Sequence, residues 1–213
     1  LHMWAVIGRT EEKIDYEVYL PHRNHQEQFM GNGFVQPFCD TPLDEEIVGE
    51  NVYLNIINKA RRYVYICTPY LIIDNEMMTA LCLAAKNGVD VRIMTPGTPD
   101  KKLVFLLTQS YYRQLLENGV KIYEYQPGFL HAKTFVCDDE IAVVGTINLD
   151  YRSLYLHFED GVWIYGNDVI WSMKEDFVQT LEDCHTVPLE FCKNRKIPVR
   201  IMQNVLRAFA PML

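Results

Sequence analysis

The chain has 213 residues and a net charge of −8, with 49% hydrophobic and 23% charged residues. This balance fits one globular domain or one lobe of a two-lobed protein, and it excludes a disordered or low-complexity chain. No apolar run reaches the ~18 residues that a transmembrane helix needs. The acidic balance argues against general nucleic-acid binding, which requires a basic surface. The six cysteines form no C-x-x-C pair, so we expect reduced thiols rather than zinc ligands or disulfides.

The first 40 residues and the rest of the chain differ in their periodicity. Residues 1–40 have weak periodicity and several turn-forming residues, which predicts a linker or edge segment entering the domain. Leu1-His2-Met3 is interpreted as a remnant of cloning, so that the chain would be part of a longer protein. Residues 41–213 are predicted to form one domain.

Helices and strands alternate in the first part of this domain. Helical spacing predicts a first helix that starts at the capping sequence Thr41-Pro42-Leu43-Asp44 and runs to residue 60. Strands are predicted at 63–67, 89–94 and 120–125, with helices at 75–87 and 101–118 between them. This order favours right-handed crossovers and an α/β fold with a largely parallel sheet and helices on its faces.

The pattern changes after Pro127-Gly128. Strands are predicted at 129–137, 141–144 and 158–165, followed by a long helix at 168–184. The first two of these strands are separated by three residues, which is hairpin spacing.

The hairpin carries residues suited to binding an anion. His131 and Lys133 are predicted to share one face of a strand, and a buried ammonium group without a partner is unfavourable. Gly145 permits close backbone approach, and Thr146 and Asn148 supply neutral donors after the second strand. We therefore expect a phosphate held by Lys133, Asn148 and Thr146.

An imidazole beside a phosphate can attack phosphorus or protonate the leaving oxygen. The other nitrogen of such a ring is usually fixed by a carboxylate. Glu159 and Asp160, on the next predicted strand, are the candidates for this contact with His131.

These residues resemble a known family. His131, Lys133 and Asp138 match the H-x-K-x4-D (HKD) pattern of the phospholipase D superfamily, and residues 145–148 match its G-[ST]-x-N element. Glu159 falls where the family has its histidine-orienting glutamate. The flanking residues 68–70, 88–92, 128–133 and 148–153 resemble the C-terminal half of bacterial cardiolipin synthases.

The resemblance implies a phospholipase D-like fold: a mixed, largely parallel β-sheet flanked by helices on both faces. It also implies a two-step phosphatidyl transfer through a phosphohistidine, from one phosphatidylglycerol to another, giving cardiolipin and glycerol without metal or cofactor. The residues implied to be catalytic are His131, Lys133, Asp138, Asn148 and Glu159. The residues implied to bind phosphate or substrate are Lys133, Asn148, Thr146 and Arg152.

Two of these assignments have a competing structural interpretation. Asp138 falls at a hairpin turn, where capping of backbone N–H groups is favoured over direct catalysis. Arg152 either holds a lipid phosphate or pairs with Asp150 or Glu159, and the sequence favours neither.

The chain departs from the family in having one motif where the family needs two. His22 and His25 include no H-x-K and do not replace the missing motif. The expected partners are phosphatidylglycerol, membrane lipid and a second HKD half, from an N-terminal domain or a homodimer mate; no nucleic acid is expected. We expect the full-length protein at the cytoplasmic side of the cell membrane, with this part of it soluble. The alternatives are a phospholipase D hydrolase or phosphatidylserine synthase, a dimeric HKD nuclease, and an inactive isolated half.

The C-terminal tail, 193–213, mixes basic and apolar residues at helical spacing. A basic amphipathic helix can lie on an anionic membrane. Since amphipathic surface helices are common, we expect instead a terminal helix packed on the domain.

Overall fold

The computed structural model of the chain describes residues 31–43 and 45–212. The strands are β1 (Phe34–Asp40), β2 (Tyr63–Cys67), β3 (Leu71–Ile72), β4 (Asp90–Pro96), β5 (Lys121–Tyr125), β6 (Thr134–Cys137), β7 (Ile141–Gly145), β8 (Leu149–Asp150), β9 (Glu159–Tyr165) and β10 (Cys184–Thr186). The helices are α1 (Val48–Lys59), α2 (Asn75–Lys86), α3 (Lys102–Glu117), α4 (Tyr151–Tyr155), α5 (Val169–Thr180), α6 (Leu189–Lys193) and α7 (Ile197–Ala208). Short 3-10 turns follow at Leu181–Asp183 and Ala210–Met212.

The main sheet is mixed, with eight strands in the order β1-β9-β7-β6-β2-β4-β5-β10. Parallel pairing joins β2, β4 and β5, which are connected by α2 and α3 as the β-α-β-α-β order predicted. Antiparallel strands extend the sheet on both sides, and β3 pairs with β8 in a separate two-stranded sheet. The predicted mixed α/β fold is confirmed, and within the described residues the parallel pairs of the main sheet are those of β2, β4 and β5.

Helices cover both faces of the sheet. On one face the helices α1 to α3 enclose the larger core, where the ring of Phe135 stacks on Tyr53 with centroids 4.0 Å apart. On the other face α5 places Ile170 and Phe177 against the sheet, and Phe177 stacks on Tyr65. Within the described residues, no helix is long and apolar enough to cross a bilayer.

Several predicted boundaries differ from the observed ones. The first helix begins at Val48 rather than near Thr41, because residues 41–43 form a turn in which the Thr41 hydroxyl accepts from Leu43 N. The predicted strand at 129–137 is shorter, since β6 begins at Thr134.

The segment predicted to be a linker or edge contains β1, which pairs along its length with β9. The sheet therefore starts before residue 41, and Gly33–Leu213 form one compact unit. Most of the predicted segment, residues 1–30, and Asp44 of the predicted capping sequence lie outside the described residues.

Candidate active site

The HKD residues lie at one end of β6. Because β6 runs antiparallel to β2 with Thr134 opposite Cys67, the residues before Thr134 extend past the carboxyl end of β2. His131 and Lys133 are therefore in the segment that leads into β6. The prediction that both lie on the strand is wrong, because β6 begins at Thr134. Ligands of open α/β sheets bind at the carboxyl ends of the parallel strands, and these two residues lie at that edge.

Lys133 is a buried cation, with 8% of its surface exposed. Its ammonium group donates to the carbonyl oxygen of His131 at 2.8 Å. Among the described residues, no carboxylate lies within the 4.0 Å of an ion pair. Burial lowers the pKa of Lys133, while the charges of Glu159 and Asp150 act in the opposite direction. The ammonium group thus keeps donor capacity for an anion.

The neighbouring carboxylate is Glu159, at the start of β9. It is buried, accepts a hydrogen bond from the Thr146 hydroxyl, and lies 3.6 Å from Nδ1 of His157. The histidine in contact with this carboxylate is therefore His157, whereas the sequence led us to expect His131.

The hairpin brings Thr146 to this position through Gly145. The amide of Gly145 donates to the Lys133 carbonyl at 3.3 Å, and Thr146 N donates to Asp160 O at 2.8 Å. A Cβ atom added at Gly145 would overlap that same Asp160 carbonyl. Glycine is therefore required here by the close approach of β7 and β9.

Asn148 and Arg152 line a pocket of about 200 Å³. Nδ2 of Asn148 donates to the Ser153 hydroxyl at 2.9 Å, and its buried Oδ1 has no partner among the described residues. A half-turn of this amide would let Ser153 donate to Oδ1 and leave Nδ2 free to donate to a ligand. Ser153 is itself fixed, since its backbone N–H donates to the carboxylate of Asp150, the cap of α4.

A row of aromatic rings, of which Tyr70 is half-buried, connects His131 to this pocket. The His131 ring lies 5.6 Å from that of Phe129, which is 6.3 Å from Tyr70, a residue of the pocket lining. The pocket lining also includes His157 and Lys101 but neither His131 nor Lys133. His131 thus lies near the rim of the pocket, with its side chain open to solvent.

Asp138 lies at the other end of β6. Its carboxylate accepts from three consecutive backbone N–H groups, those of Arg61, Arg62 and Tyr63, at 2.7, 2.9 and 2.8 Å. Its φ of 55° is in the left-handed region, which aspartate tolerates better than most residues. The geometry therefore favours an anchoring role, in which Asp138 joins the hairpin to the start of β2.

Sequence reasoning missed two groups at the site. Ser153 was missed because a serine three residues after a helix-capping aspartate has no sequence signature of a site residue. Its contact with Asn148 becomes visible only in the structure. Lys101 lies at the N-cap of α3 and lines the pocket together with Val104, and a lysine at a helix start has no signature of a ligand site.

Comparison with known proteins places these residues in a family. Residues 53–181 match the family described as "Cardiolipin synthase, PLD-like domain". A cardiolipin synthase of Clostridium perfringens is 40% identical over 99% of this chain and 44% of its own length. An uncharacterized protein of Streptococcus mutans is 49% identical over 100% of this chain and 45% of its own length. The chain thus spans less than half the length of these relatives.

Solved structures agree in fold. Phosphatidylserine synthase from Haemophilus influenzae superposes with a TM-score of 0.65 at 18% identity, covering 84% of this chain and 45% of that one. Nuc from Salmonella typhimurium, a phospholipase D family member, superposes with a TM-score of 0.63 at 18% identity, covering 73% and 99%. With its HKD residues at the edge of a phospholipase D fold and a family match over most of its length, the chain belongs to the phospholipase D-like domain family of cardiolipin synthases.

Proposed function

We propose that this chain is one catalytic half of a phosphatidyltransferase that makes cardiolipin from two phosphatidylglycerol molecules. The observation that carries the proposal is Lys133, a buried ammonium without a carboxylate in ion-pair contact among the described residues, two residues from an exposed histidine. A buried charge is costly unless it is compensated, and a phosphodiester would compensate it. Cardiolipin synthase relatives at about 40% identity support the lipid substrate.

The first step is the attack of a His131 ring nitrogen on phosphorus. A P–N bond forms, the P–O bond to glycerol breaks, and the departing oxygen takes a proton from the histidine of a second HKD half and leaves as glycerol. In the second step that same histidine takes the proton from the hydroxyl of another phosphatidylglycerol, the hydroxyl oxygen attacks phosphorus, and the P–N bond breaks as cardiolipin forms. If His131 acts instead as the general acid, it delivers the proton and the partner histidine carries the phosphatidyl group.

The other site residues would stabilise charge on phosphorus oxygens. Lys133, Asn148 and Thr146 would donate to the non-bridging oxygens, where negative charge increases in the transition state. Arg152, exposed at the pocket, would hold the second lipid phosphate. Glu159 would keep Thr146 and His157 in place.

A second HKD half is needed to supply the other histidine. The relatives are about twice as long as this chain, which favours a partner domain in the same polypeptide. Nuc, of which this chain covers 99%, favours assembly from two copies of a short chain. Membrane location belongs to the same proposal, because the substrate is a bilayer lipid.

The test is to incubate the chain with phosphatidylglycerol in detergent micelles containing EDTA and to measure cardiolipin and glycerol by mass spectrometry. We expect product that disappears with His131→Ala and persists with His185→Ala, an exposed histidine of β10. A rate that rises faster than linearly with dilute protein would indicate a homodimeric site.

If the folded chain gives no product, the assay is repeated with a longer protein that contains both this chain and a second HKD half. His131→Ala and His185→Ala are then made in that longer protein. Cardiolipin synthesis that survives His131→Ala in that protein would refute the proposal.

A further inference from the structure

Helix α7 packs on the domain through its polar side. Gln203 is 7% exposed and donates from Nε2 to the carbonyl of Leu106 at 3.1 Å. The guanidinium of Arg207 lies 4.4 Å from the centre of the Tyr111 ring. The tail is therefore a terminal helix packed on the domain, as expected, but polar groups form much of the packed side.

The opposite side of α7 is an exposed apolar stripe. Its members are Ile197, Ile201, Met202 and Val205, with Phe209 at the C-cap of the helix, and they are 71%, 58%, 48%, 49% and 53% exposed. Ile197, Ile201 and Val205 are four residues apart and so share one face, and Met202 and Phe209 widen it. Apolar residues of an amphipathic helix normally face the core. An apolar stripe that faces solvent instead is typical of a surface that contacts a membrane or another molecule.

A pocket lined by arginines lies beside the stripe. It has a volume of about 380 Å³ and lies between α3, the segment after α6, and α7. Its arginines are Arg113, Arg195, Arg200 and Arg207. The one carboxylate in the lining, Glu117, pairs with Arg113 at 2.9 Å. This concentration of positive charge stands out in a chain of net charge −8.

Neutral groups hold two of the guanidinium groups in place. Arg195 donates to Gln109 and lies over the Phe191 ring, with 4.5 Å from its guanidinium carbon to the ring centre. Arg207 donates to Gln114 at 3.3 Å. In the described part of the chain, neither of them, nor Arg200, has a carboxylate within 4.0 Å. The pocket is thus prepared for an anion.

The pocket and the stripe are adjacent on the same helix. Arg200 and Asn204 line the pocket, and on a helical projection they come immediately beside Ile197 and Ile201. A ligand that meets both surfaces therefore has an anionic group next to an extended apolar region. Anionic phospholipids at a bilayer surface have this arrangement.

We propose that α7 is an interfacial helix that docks the protein on an anionic phospholipid bilayer, with the stripe in the lipid and a headgroup phosphate in the arginine pocket. A second copy of the chain fits less well, because packing two stripes together would bring two arginine pockets close to each other. Docking does not depend on the proposed reaction. If that reaction holds, docking also brings the catalytic pocket to the bilayer, since Ala210, just after α7, lines it.

The experiment is co-sedimentation of the whole chain with phosphatidylcholine vesicles, with and without phosphatidylglycerol, at low and high salt. We expect binding only to the anionic vesicles, weakened by salt. Arg200→Gln should weaken it about fivefold, as expected for one basic residue at an anionic surface. The double variant Ile201→Ser/Val205→Ser should weaken it by at least ~10-fold, because apolar area no longer enters the lipid.

The matched control is Leu83→Ser/Val178→Ser, which alters two comparably exposed apolar residues on α2 and α5. It should bind as the unaltered chain does, and so should His131→Ala, which separates docking from catalysis. Equal binding to neutral and anionic vesicles, or no binding by the unaltered chain, would overturn the proposal. The proposal would also be overturned if Ile201→Ser/Val205→Ser changed the sedimentation coefficient from that of a dimer to that of a monomer and left vesicle binding unchanged. That result would show that a second copy of the chain covers the stripe.

Discussion

Replacing Asp138 tests whether this residue of the HKD motif is an anchor or part of the chemistry. In the structure it accepts three backbone N–H groups from residues 61–63, at 2.7 to 2.9 Å. Removing a side chain that caps backbone N–H groups costs about 0.5–2 kcal/mol, and we take the upper end here because three donors lose their acceptor. Alanine at a φ of 55° adds about 1 kcal/mol of backbone strain. Asp138→Ala should therefore cost about 3 kcal/mol in the free energy of unfolding.

The measurement is urea denaturation followed by circular dichroism, with the slope m compared between variants. Asp138→Asn should cost only about 1 kcal/mol, because asparagine tolerates the left-handed region and keeps one acceptor oxygen. Asp168→Ala is the matched control, since this exposed aspartate precedes α5 without making a capping hydrogen bond. An Asp138→Asn variant with unchanged stability and abolished phosphatidyl transfer would refute the reasoning, because the residue would then act in the chemistry.

Three further predictions concern buried groups. Phe135→Ala should lower the free energy of unfolding by about 3–5 kcal/mol, because Phe135 is 1% exposed and stacks on Tyr53; a loss below about 1 kcal/mol in urea denaturation would contradict this. Lys133→Met should abolish transfer while leaving stability equal or about 1 kcal/mol higher, since it removes a buried charge; a thermally destabilised variant would show that Lys133 is structural. Burial, together with the nearby Asp74, raises the pKa of Glu50 to about 7, so the folded chain binds this proton more tightly than the unfolded chain. The raised pKa of Glu50 therefore contributes stability that is complete below the usual glutamate pKa and is lost as pH rises through about 7. In urea denaturation on both sides of pH 7, the free energy of unfolding of Glu50→Gln should fall less with rising pH than that of the unaltered chain.

The central part of the fold could be predicted because its signals are local and repeated. β2 is buried throughout and β4 along most of its length, and both contain β-branched residues, whereas β5 alternates buried and more exposed positions. Each helix between these strands has an apolar face. The edge strands were not recognised as strands. Most of β1 is exposed, with Phe34 at 70%, so that it has no alternation of buried and exposed residues to detect. β10 has three residues, and its pairing with β5 depends on where the preceding helix ends.

The site residues could be found from sequence, but their contacts could not. Spacing places Thr146 and Glu159 near Lys133, because the hairpin and β9 fix the register of the backbone. Register does not fix which histidine Glu159 contacts. In the structure the contact is with His157, at 3.6 Å, and it depends on side-chain positions that the spacing of the motif does not determine. The side of α7 that packs on the domain could not be predicted for the same reason. Its apolar and basic positions are visible in the sequence, whereas the polar surface of α3 that receives Gln203 is a property of the fold.

The spacing within H-x-K-x4-D has a physical meaning in this structure. β6 fills the four positions between Lys133 and Asp138, and at ~3.3 Å per residue this separates the two by more than about 13 Å. One end of the motif therefore carries the exposed imidazole and the buried ammonium group, and the other end attaches the hairpin to the backbone of residues 61–63. A lysine held at the edge of the sheet needs a strand that cannot slide, because a shift of one residue would turn Lys133 to the other face. The three hydrogen bonds of Asp138 oppose that shift, and we therefore propose that Asp138 belongs to the motif because it holds the register of the hairpin.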